Sequence, residues 1–199
     1  MSLSPERKGR LTASKFASAM GISKYKSIHQ LYKDEIGEGK PFNGNEATQH
    51  GEDNESNCLE AYELDQRVFV DFGGEHQQFI KHPKLDFLGC TPDGRVGDLR
   101  LVEFKCPFYG MYETAPPHYV AQCMGQMGIT GLKECDLVAW THDELKIWRI
   151  KFSEEYWQLQ LELLQKFWHM VQTRTKPKKW HKETNPQPTM PSVEIEFLL

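Results

Sequence analysis

The segment 89–110, GCTPDGRVGDLRLVEFKCPFYG, places three charged residues of mixed sign beside an apolar run. Asp93 follows a proline in a predicted turn, and Glu103 and Lys105 come directly after the apolar residues at 101 and 102. Buried carboxylates and ammonium groups are costly unless they are paired or bound to a metal. These three charges therefore either pair structurally or form a site.

Strand geometry indicates which chemistry the three residues could do together. Residues 103 and 105 of a strand point to one face, and Phe104 points to the other. If Asp93 ends the preceding strand of a hairpin, its carboxylate meets Glu103 across the pair. A divalent cation between them would offset their repulsion, and Mg²⁺ leaves room for water and phosphate. Lys105 could then orient the attacking water, lower its pKa or stabilise charge on the phosphate.

An acidic residue two positions before a lysine is by itself a weak signal. The same triplet occurs three more times in the chain, starting at Glu6, Glu38 and Glu144. Only the triplet at Glu103 follows both a Pro-Asp turn and an apolar run. The triplet at Glu144 falls in a predicted hairpin turn, where charge is easily solvated, so we interpret it as solvated.

Composition is ordinary for a soluble globular protein, with 39% hydrophobic and 26% charged residues among 199. We expect one domain over residues 1–199, with a catalytic core at about 50–150 and a C-terminal helix and tail at 153–199.

The first residues lack an apolar signal core, and no apolar run approaches the roughly 20 residues that cross a bilayer. The five cysteines are scattered, which favours reduced thiols in a cytoplasm over disulfides, a zinc ribbon or an iron–sulfur cluster.

Charge is uneven along the chain although the net charge is only −4. Nucleic-acid-binding domains usually carry a basic excess, which this total does not show. Basic residues nevertheless concentrate in two segments, at 7–15 and at 174–182, and acidic residues concentrate in the middle. Two interpretations stay open: a locally positive groove, or solvated surface charge near the two ends of the sequence.

Hydrophobic periodicity and turn residues predict an α/β domain with a mixed sheet. Helices are predicted within 12–21, 27–37, 45–66, 118–131 and 154–174, and strands within 67–73, 77–82, 87–96, 99–107 and 135–152. The long helix at 45–66 should bury Cys58, Leu59, Tyr62 and Leu64. The tail at 190–199 alternates apolar and acidic residues, which suits either an edge strand for a neighbouring subunit or a packed or frayed terminus.

The spacing P-D-x(9)-E-x-K resembles that of the PD-(D/E)XK nucleases. The longer string CTPDGRVGDLRLVEFKCPF resembles the lambda exonuclease branch, the YqaJ-type viral recombinases. The likeness includes RLTASKF near the start, HGEDNE ahead of a helix, and HYVAQCMGQMGITG after the core motif. These segments run in the family's order and cover most of residues 7–150. The resemblance implies a restriction-endonuclease-like core, a central mixed β-sheet flanked by helices.

The resemblance also implies roles for the charged residues. Asp93 and Glu103 would be metal ligands together with the backbone carbonyl of Phe104, and Lys105 would position the nucleophilic water. Glu55 matches the family's helix-borne glutamate at the metal site. Its alternative is an acid near a helix N-terminus, favoured there by the helix dipole.

Two glutamines of the predicted helix at 118–131 complete the implied catalytic set. Gln122 matches the family's glutamine that holds the water or the lysine. Gln126 lies one turn further on the same face and could share the pocket. The alternative for both is a hydrogen bond within the core.

A terminal 5′-phosphate site is implied near the start of the chain. Arg7 and Ser14 match the positions that grip this phosphate, and Thr91 stands where the family has a serine. Arginine offers a bidentate fork for phosphate oxygens, and a hydroxyl at a helix start adds a donor. Arg10 or Lys8 could replace Arg7 in a shifted register, and Ser14 could be a plain helix cap.

The activity implied is a 5′-to-3′ exonuclease on double-stranded DNA, leaving 3′ overhangs for recombination by single-strand annealing. It would use two Mg²⁺ ions, replaceable by Mn²⁺, and act on 5′-phosphorylated ends as a ring-shaped homotrimer beside a single-strand annealing protein. Such a protein would be encoded by a phage or prophage and work in the bacterial cytoplasm, away from membranes. The alternatives are an endonuclease of the same fold, of restriction or resolvase type, and a non-catalytic DNA-binding protein.

Overall fold

The computed structural model describes residues 5–40, 44–71, 78–178 and 187–199. Its α-helices are α1 Ala13–Ala19, α2 Ile28–Glu35, α3 Glu46–Gln66, α4 Pro117–Thr130 and α5 Glu154–Gln172. Its strands are β1 Leu11–Thr12, β2 Ile80–Lys81, β3 Leu88–Cys90, β4 Gly94–Val96, β5 Arg100–Lys105, β6 Glu134–Trp140, β7 Leu145–Lys151 and β8 Ile195–Phe197. A short 3₁₀ helix, Pro5–Arg7, precedes β1.

The strands form two mixed sheets flanked by helices. Among the described residues, the larger sheet has the order β4-β5-β6-β7-β8, with β5 and β6 parallel and the other neighbours antiparallel. The α4 helix makes the crossover between these two strands, as parallel neighbours require. The smaller sheet has the order β1-β3-β2, with β1 parallel to β3. The predicted mixed α/β fold is confirmed.

Helix boundaries follow local signals in the sequence. Ser27 and Gln30 form a reciprocal capping box at the start of α2, and the Asn45 side chain accepts from the backbone N–H of Thr48 in α3. The α4 helix ends at Gly131, whose φ of 84° is a left-handed value that glycine adopts without steric cost. No helix in the described ranges is long and apolar enough to cross a membrane.

Close packing around α4 depends on two of its glycines. A Cβ at Gly125 would lie 2.4 Å from the ring of Phe16 in α1. A Cβ at Gly128 would lie 2.4 Å from the ring of Trp157 in α5. Two large aromatic side chains therefore lie directly on the α4 backbone, which is buried between the sheets and the other helices.

The predicted core face of α3 is wrong at one residue. Cys58 and Tyr62 are completely buried, and Leu59 is partly buried. Leu64 is 81% exposed, because two residues along a helix correspond to a rotation of about 200° away from Tyr62.

The predicted strand at 67–73 is reduced to a single bridge in the described part of the chain. Asp71 pairs with Arg95 of β4, and each backbone N–H donates to the other's carbonyl. Residues 72 and 73 of that prediction lie outside the described residues.

The C-terminal tail joins the large sheet of its own chain. Strand β8 pairs antiparallel with β7, with Phe197 opposite Trp148 and Ile195 opposite Ile150. Within its own chain the tail is thus an edge strand whose side chains are exposed, and an added strand for a neighbouring subunit stays a prediction.

A fully buried aspartate ties the elements of the large sheet together. Asp136 in β6 accepts from Arg149 at 2.8 and 2.9 Å, from Arg100 at 2.9 Å and from the Tyr62 hydroxyl at 2.7 Å. These donors come from β7, β5 and α3. Burial and the adjacent Asp136 carboxylate raise the pKa of Tyr62, so this hydroxyl keeps its proton. One carboxylate thus fixes α3 and β5 to each other.

Replacing Asp136 with alanine should destabilise the protein strongly, because it leaves two arginines without their buried counter-charge. The expected loss in the free energy of unfolding is about 3–5 kcal/mol, measured by urea denaturation. The exposed pair Glu162–Lys166 on α5 provides the control, and Glu162→Ala should cost under about 1 kcal/mol. Equal losses in the two variants would contradict the role given to Asp136.

Candidate active site

The β4–β5 hairpin brings Asp93 and Glu103 to adjacent positions. Gly94 is the register partner of Val102, so continuing this antiparallel register by one residue places Asp93 opposite Glu103. One carboxylate oxygen of Asp93 accepts a 2.7 Å hydrogen bond from the backbone N–H of Phe104. Asp93 is partly buried and Glu103 is 1% exposed. The two carboxylates therefore meet at the edge of the core, as the sequence spacing predicts.

The Glu103 carboxylate is held by three side-chain donors. Its Oε1 accepts from the ammonium of Lys105 and, at 2.5 Å, from Nε2 of Gln122. Its Oε2 accepts from Nε2 of Gln126 at 2.6 Å. Hydrogen bonds of this kind offset the cost of burying a charge. The two glutamines lie one turn apart on α4, so both side chains extend from the same face of this helix to Glu103.

Lys105 remains a cation in this arrangement. Burial alone would lower the pKa of Lys105, but the neighbouring carboxylates of Glu103 and Asp93 raise it above its usual value. A lysine that keeps its proton cannot accept one from water. It can orient a water molecule or stabilise negative charge on a phosphate.

The charged form of Asp93 is the less favourable of the two carboxylates. Burial, and then the charge of Glu103, raise the pKa of Asp93 well above its ordinary value, with Glu55 contributing in the same direction. Lys105 and the Phe104 N–H act against these effects. A cation beside both carboxylates would relieve this repulsion.

The residues present fit a hard divalent cation that keeps several waters. No three His, Cys, Asp or Glu side chains within the described ranges stand together as ready metal ligands. Asp93 and Glu103, with the carbonyl oxygen of Phe104, offer an all-oxygen set of two carboxylates and one backbone atom. Mg²⁺ is commonly bound by one or two carboxylates, with water and phosphate completing its coordination.

Glu55 lies in the middle of α3 and faces this site. Its charge acts on both Asp93 and the thiol of Cys106, the residue that follows Lys105. The acidic residue in the first turn of α3 is Glu46. The alternative of a dipole-stabilised N-terminal acid therefore does not apply to Glu55.

Arg7 contacts Thr91 near the other end of the site. The Arg7 guanidinium donates to the Thr91 hydroxyl at 2.7 Å across 84 positions of sequence. The parallel pairing of β1 with β3 makes this possible, since Thr12 lies beside Gly89, two residues before Thr91. Thr91 in turn precedes Asp93 by two residues.

Ser14 and Arg10 take other positions. Ser14 is exposed, and its hydroxyl lies 3.2 Å from that of Thr12. Thr12, not Ser14, is the residue at the N-cap of α1, so the helix-cap alternative for Ser14 is wrong. The Arg10 guanidinium donates to the carbonyl of Glu6 at 2.7 Å. Of the two arginines, Arg7 is the one that contacts Thr91.

The triplet at Glu144 is not simply solvated. Lys146 is the second residue of β7, and its side chain is only 21% exposed. Its ammonium donates to the carbonyl of Tyr112 at 3.0 Å and pairs with Glu144 at 3.0 Å. The solvated interpretation is therefore wrong for Lys146, which ties the strand to the loop after β5.

The basic segment at 174–182 is described only in part. Arg174, Lys176 and Lys178 are exposed, whereas Lys179 and Lys182 lie outside the described residues. The exposed side chains are compatible with both interpretations of this segment's charge.

Sequence reasoning missed a group of aromatic residues beside Lys105. The Lys105 ammonium lies 5.1 Å from the ring centroid of Tyr119, and Tyr112 and His118 are in ring contact with Tyr119. Tyr119 precedes Gln122 by three residues, so helical spacing places both on one face of α4. This spacing was the available signal.

Comparison with known proteins identifies the family. A family model for the YqaJ-like viral recombinase domain matches residues 4–133. The chain belongs to this family. A curated relative, the uncharacterized protein R354 of Acanthamoeba polyphaga mimivirus, is 27% identical over 162 residues. The match covers 72% of this chain but only 29% of the relative, so the chain spans less than a third of that protein.

Solved structures show which fold this chain shares. The alkaline exonuclease LHK-Exo of Laribacter hongkongensis matches with a TM-score of 0.69 at 24% identity, and its complex with dAMP with 0.68 at 25%. Each match covers 84% of this chain and 90% of that one. A phage-related exonuclease of Haemophilus somnus 129PT matches with a TM-score of 0.61 at 13% identity, covering 83% and 96%. The predicted restriction-endonuclease-like fold is confirmed.

Asp93→Asn should stabilise the metal-free protein at neutral pH, because it removes a carboxylate whose pKa is raised by folding. Such a group lowers stability once the pH exceeds its unfolded pKa, so the advantage of the variant should shrink in acid. Adding Mg²⁺ should raise the unfolding temperature of the wild type but not that of the variant.

Thermal unfolding in EDTA and in Mg²⁺ measures both effects. Asp98→Asn is the matched control, since Asp98 is 95% exposed in the turn of the same hairpin. An equal Mg²⁺ shift in the wild type and in Asp93→Asn would count against a metal at this position.

Proposed function

We propose that the chain is a metal-dependent 5′-to-3′ exonuclease on double-stranded DNA, leaving 3′ overhangs for recombination by single-strand annealing. Membership of the viral recombinase family and the fold of alkaline exonucleases support a nuclease. The observation that carries the proposal is the buried Glu103 carboxylate, which Asp93 and Lys105 adjoin. A structural ion pair would need only Glu103 and Lys105, and the added Asp93 makes sense with a cation.

The site residues divide the work of phosphodiester hydrolysis. Asp93, Glu103 and the Phe104 carbonyl would hold Mg²⁺. With Glu55 contributing, the site would hold two Mg²⁺ ions, and Mn²⁺ could replace them. The metal, when bound, supplies Lewis-acid polarisation of the phosphate and an acidified water. Lys105 orients the attacking water and stabilises charge that develops on the phosphate oxygens.

The two glutamines of α4 would keep the Glu103 carboxylate in place. Gln122 and Gln126 donate to different oxygens of Glu103, so the carboxylate plane is fixed relative to α4. Fixed ligands favour catalysis because no reorganisation is needed in the transition state.

The contact between Arg7 and Thr91 supports an exonuclease over an endonuclease. The Arg7 guanidinium and the Thr91 hydroxyl that it contacts suit a phosphate with free oxygens, as found at a 5′ end, and the exposed Ser14 hydroxyl would add a donor. Thr91 lies two residues before Asp93, so a bound terminal phosphate would sit close to the metal ligands. An endonuclease has no need of an end pocket, and a non-catalytic binding protein has no need of the Asp93–Glu103–Lys105 set.

We further propose a ring-shaped homotrimer of single-domain subunits that acts on 5′-phosphorylated ends. A chain with net charge −4 is repelled by DNA, which carries one charge per about 1.7 Å of its axis. Identical subunits around one channel would bring their basic segments together on the duplex. A single-strand annealing protein would receive the overhang, in the cytoplasm of a bacterium that carries the phage or prophage.

Strand-resolved digestion of linear duplexes tests the proposal. The wild type should degrade the 5′-ended strand in Mg²⁺, leave the 3′-ended strand, and stop in EDTA. Lys105→Ala should lose at least about 100-fold in rate, the usual cost of one charged transition-state contact. Lys166→Ala, which alters an exposed lysine on α5, should retain wild-type rates. Cleavage within a closed circle would instead indicate an endonuclease.

The same assay with 5′-phosphate and 5′-hydroxyl ends examines the end pocket. The wild type should prefer phosphate, and Arg7→Ala should lose about 10-fold or more of that preference. Arg10→Ala is the matched control and should retain the preference, since Arg10 contacts the Glu6 carbonyl instead. A wild type that is indifferent to the end group would remove the reason for an end pocket.

A further inference from the structure

Three tyrosine hydroxyls meet beside Lys105. The hydroxyls of Tyr112 and Tyr119 lie 3.4 Å apart. Burial, and then the interactions with Tyr112 and with the nearby Tyr25 hydroxyl, raise the pKa of Tyr119, and Tyr25 acts on the pKa of Tyr112 in the same direction. The three residues come from the loop after α1, the loop between β5 and α4, and α4 itself. Distant parts of the chain thus place three phenol groups next to a catalytic residue.

The surroundings of this tyrosine cluster are positively charged. The Lys24 ammonium lies 4.9 Å from the ring centroid of Tyr25 and 5.7 Å from that of Tyr112. Within the described ranges, no carboxylate forms an ion pair with Lys24. The Lys105 ammonium lies over the ring of Tyr119. Two ammonium groups therefore flank the hydroxyls.

His118 provides an independent sign of a ligand. Its side chain packs edge-on against Tyr25, with ring centroids 5.1 Å apart, and the residue is 8% exposed. Its buried Nε2 has no hydrogen-bond partner among the described residues. Burial, Lys24 and Lys105 lower the pKa of His118 to about 4. A neutral imidazole with an unused nitrogen thus lies under an exposed tyrosine.

The chemistry offered by the cluster is that of hydrogen-bond donation to an anion. The hydroxyls of Tyr112 and Tyr119 share one hydrogen bond, so one of their two hydrogens remains to donate outward, and the Tyr25 hydroxyl adds a further donor. The ring faces are already engaged by Lys24 and Lys105, which leaves hydroxyls rather than faces for a ligand. Tyr25 is 63% exposed, whereas a cluster that only stabilised the core would be covered.

We propose that the hydroxyls of Tyr25, Tyr112 and Tyr119 bind a phosphodiester group of the DNA strand, next to the phosphate that is cleaved. This subsite rests on the proposed nuclease function, because Lys105 joins the two sites. Movement of the exposed Tyr25 toward the strand would also uncover the unused nitrogen of His118. The subsite would hold the strand that remains attached while the terminal nucleotide is removed.

Duplexes with one uncharged methylphosphonate linkage test the subsite. The modification is placed in turn at each of the first few linkages from the 5′ end, and single-turnover cleavage is measured. For the wild type, neutralising one linkage that is not cut should slow cleavage about 10-fold or more. The double variant Tyr25→Phe/Tyr112→Phe should lose a similar factor on unmodified DNA and nothing further on the modified duplex.

Tyr109→Phe is the matched control. Tyr109 lies on the same loop as Tyr112 and is 92% exposed, outside the cluster. This variant should keep both the wild-type rate and the sensitivity to the uncharged linkage.

Each other outcome overturns the proposal. The double variant could instead cut the modified duplex more slowly by the product of the two separate rate losses. That result would show that the hydroxyls and the phosphate act independently. Sensitivity to an abasic nucleotide instead of the uncharged linkage would show that the cluster contacts a base. A wild type that cuts unmodified DNA without any such sensitivity rejects the subsite alone, whereas a wild type that cuts no DNA rejects the proposed function with it.

Discussion

The buried carboxylate of Glu103 is the interaction on which the candidate site depends. A charge at this depth is tolerated only because Lys105, Gln122 and Gln126 donate to it. Two of these donors belong to α4, so the carboxylate also fixes how α4 packs over β5. Phe16 and Trp157, which lie on the backbone of α4 at Gly125 and Gly128, hold this helix from other directions.

A second buried carboxylate, Asp136, performs the matching structural task for the other half of the site. It joins Tyr62 of α3 to Arg100 at the start of β5. The helix that carries Glu55 is thereby held against the strand that carries Glu103. One carboxylate is saturated by arginines and is structural, whereas the other shares its surroundings with Asp93 and is suited to a cation.

How much of this could be predicted from the sequence follows from the distance between contacting residues along the chain. Asp93 and Glu103 are separated by a short hairpin, and a period of two places Lys105 on the same face as Glu103. Such local geometry can be predicted from residue spacing. The positions of Gln122 and Glu55 required the family resemblance, because nothing local relates α4 or α3 to β5.

The remaining contacts depend on tertiary packing. Thr91 and Arg7 meet only because β1 runs parallel to β3, and Tyr25 reaches α4 through an irregular loop that carries no periodic signal. The burial predicted for Leu64 is wrong for a simpler reason. Its apolar side chain suggests burial, but its angular position on α3 places it away from Cys58 and Tyr62.

The most direct test of the account is a crystal structure with Mn²⁺, in which the ion is located by its anomalous scattering. If Asp93, Glu103 and the Phe104 carbonyl hold the metal, the anomalous peak should lie within coordination distance of these three groups. Lys105 should then be released from Glu103 and turned toward the ion's water. A protein that cuts DNA in Mn²⁺ but shows the ion elsewhere, with the Glu103–Lys105 pair unchanged, would contradict the account.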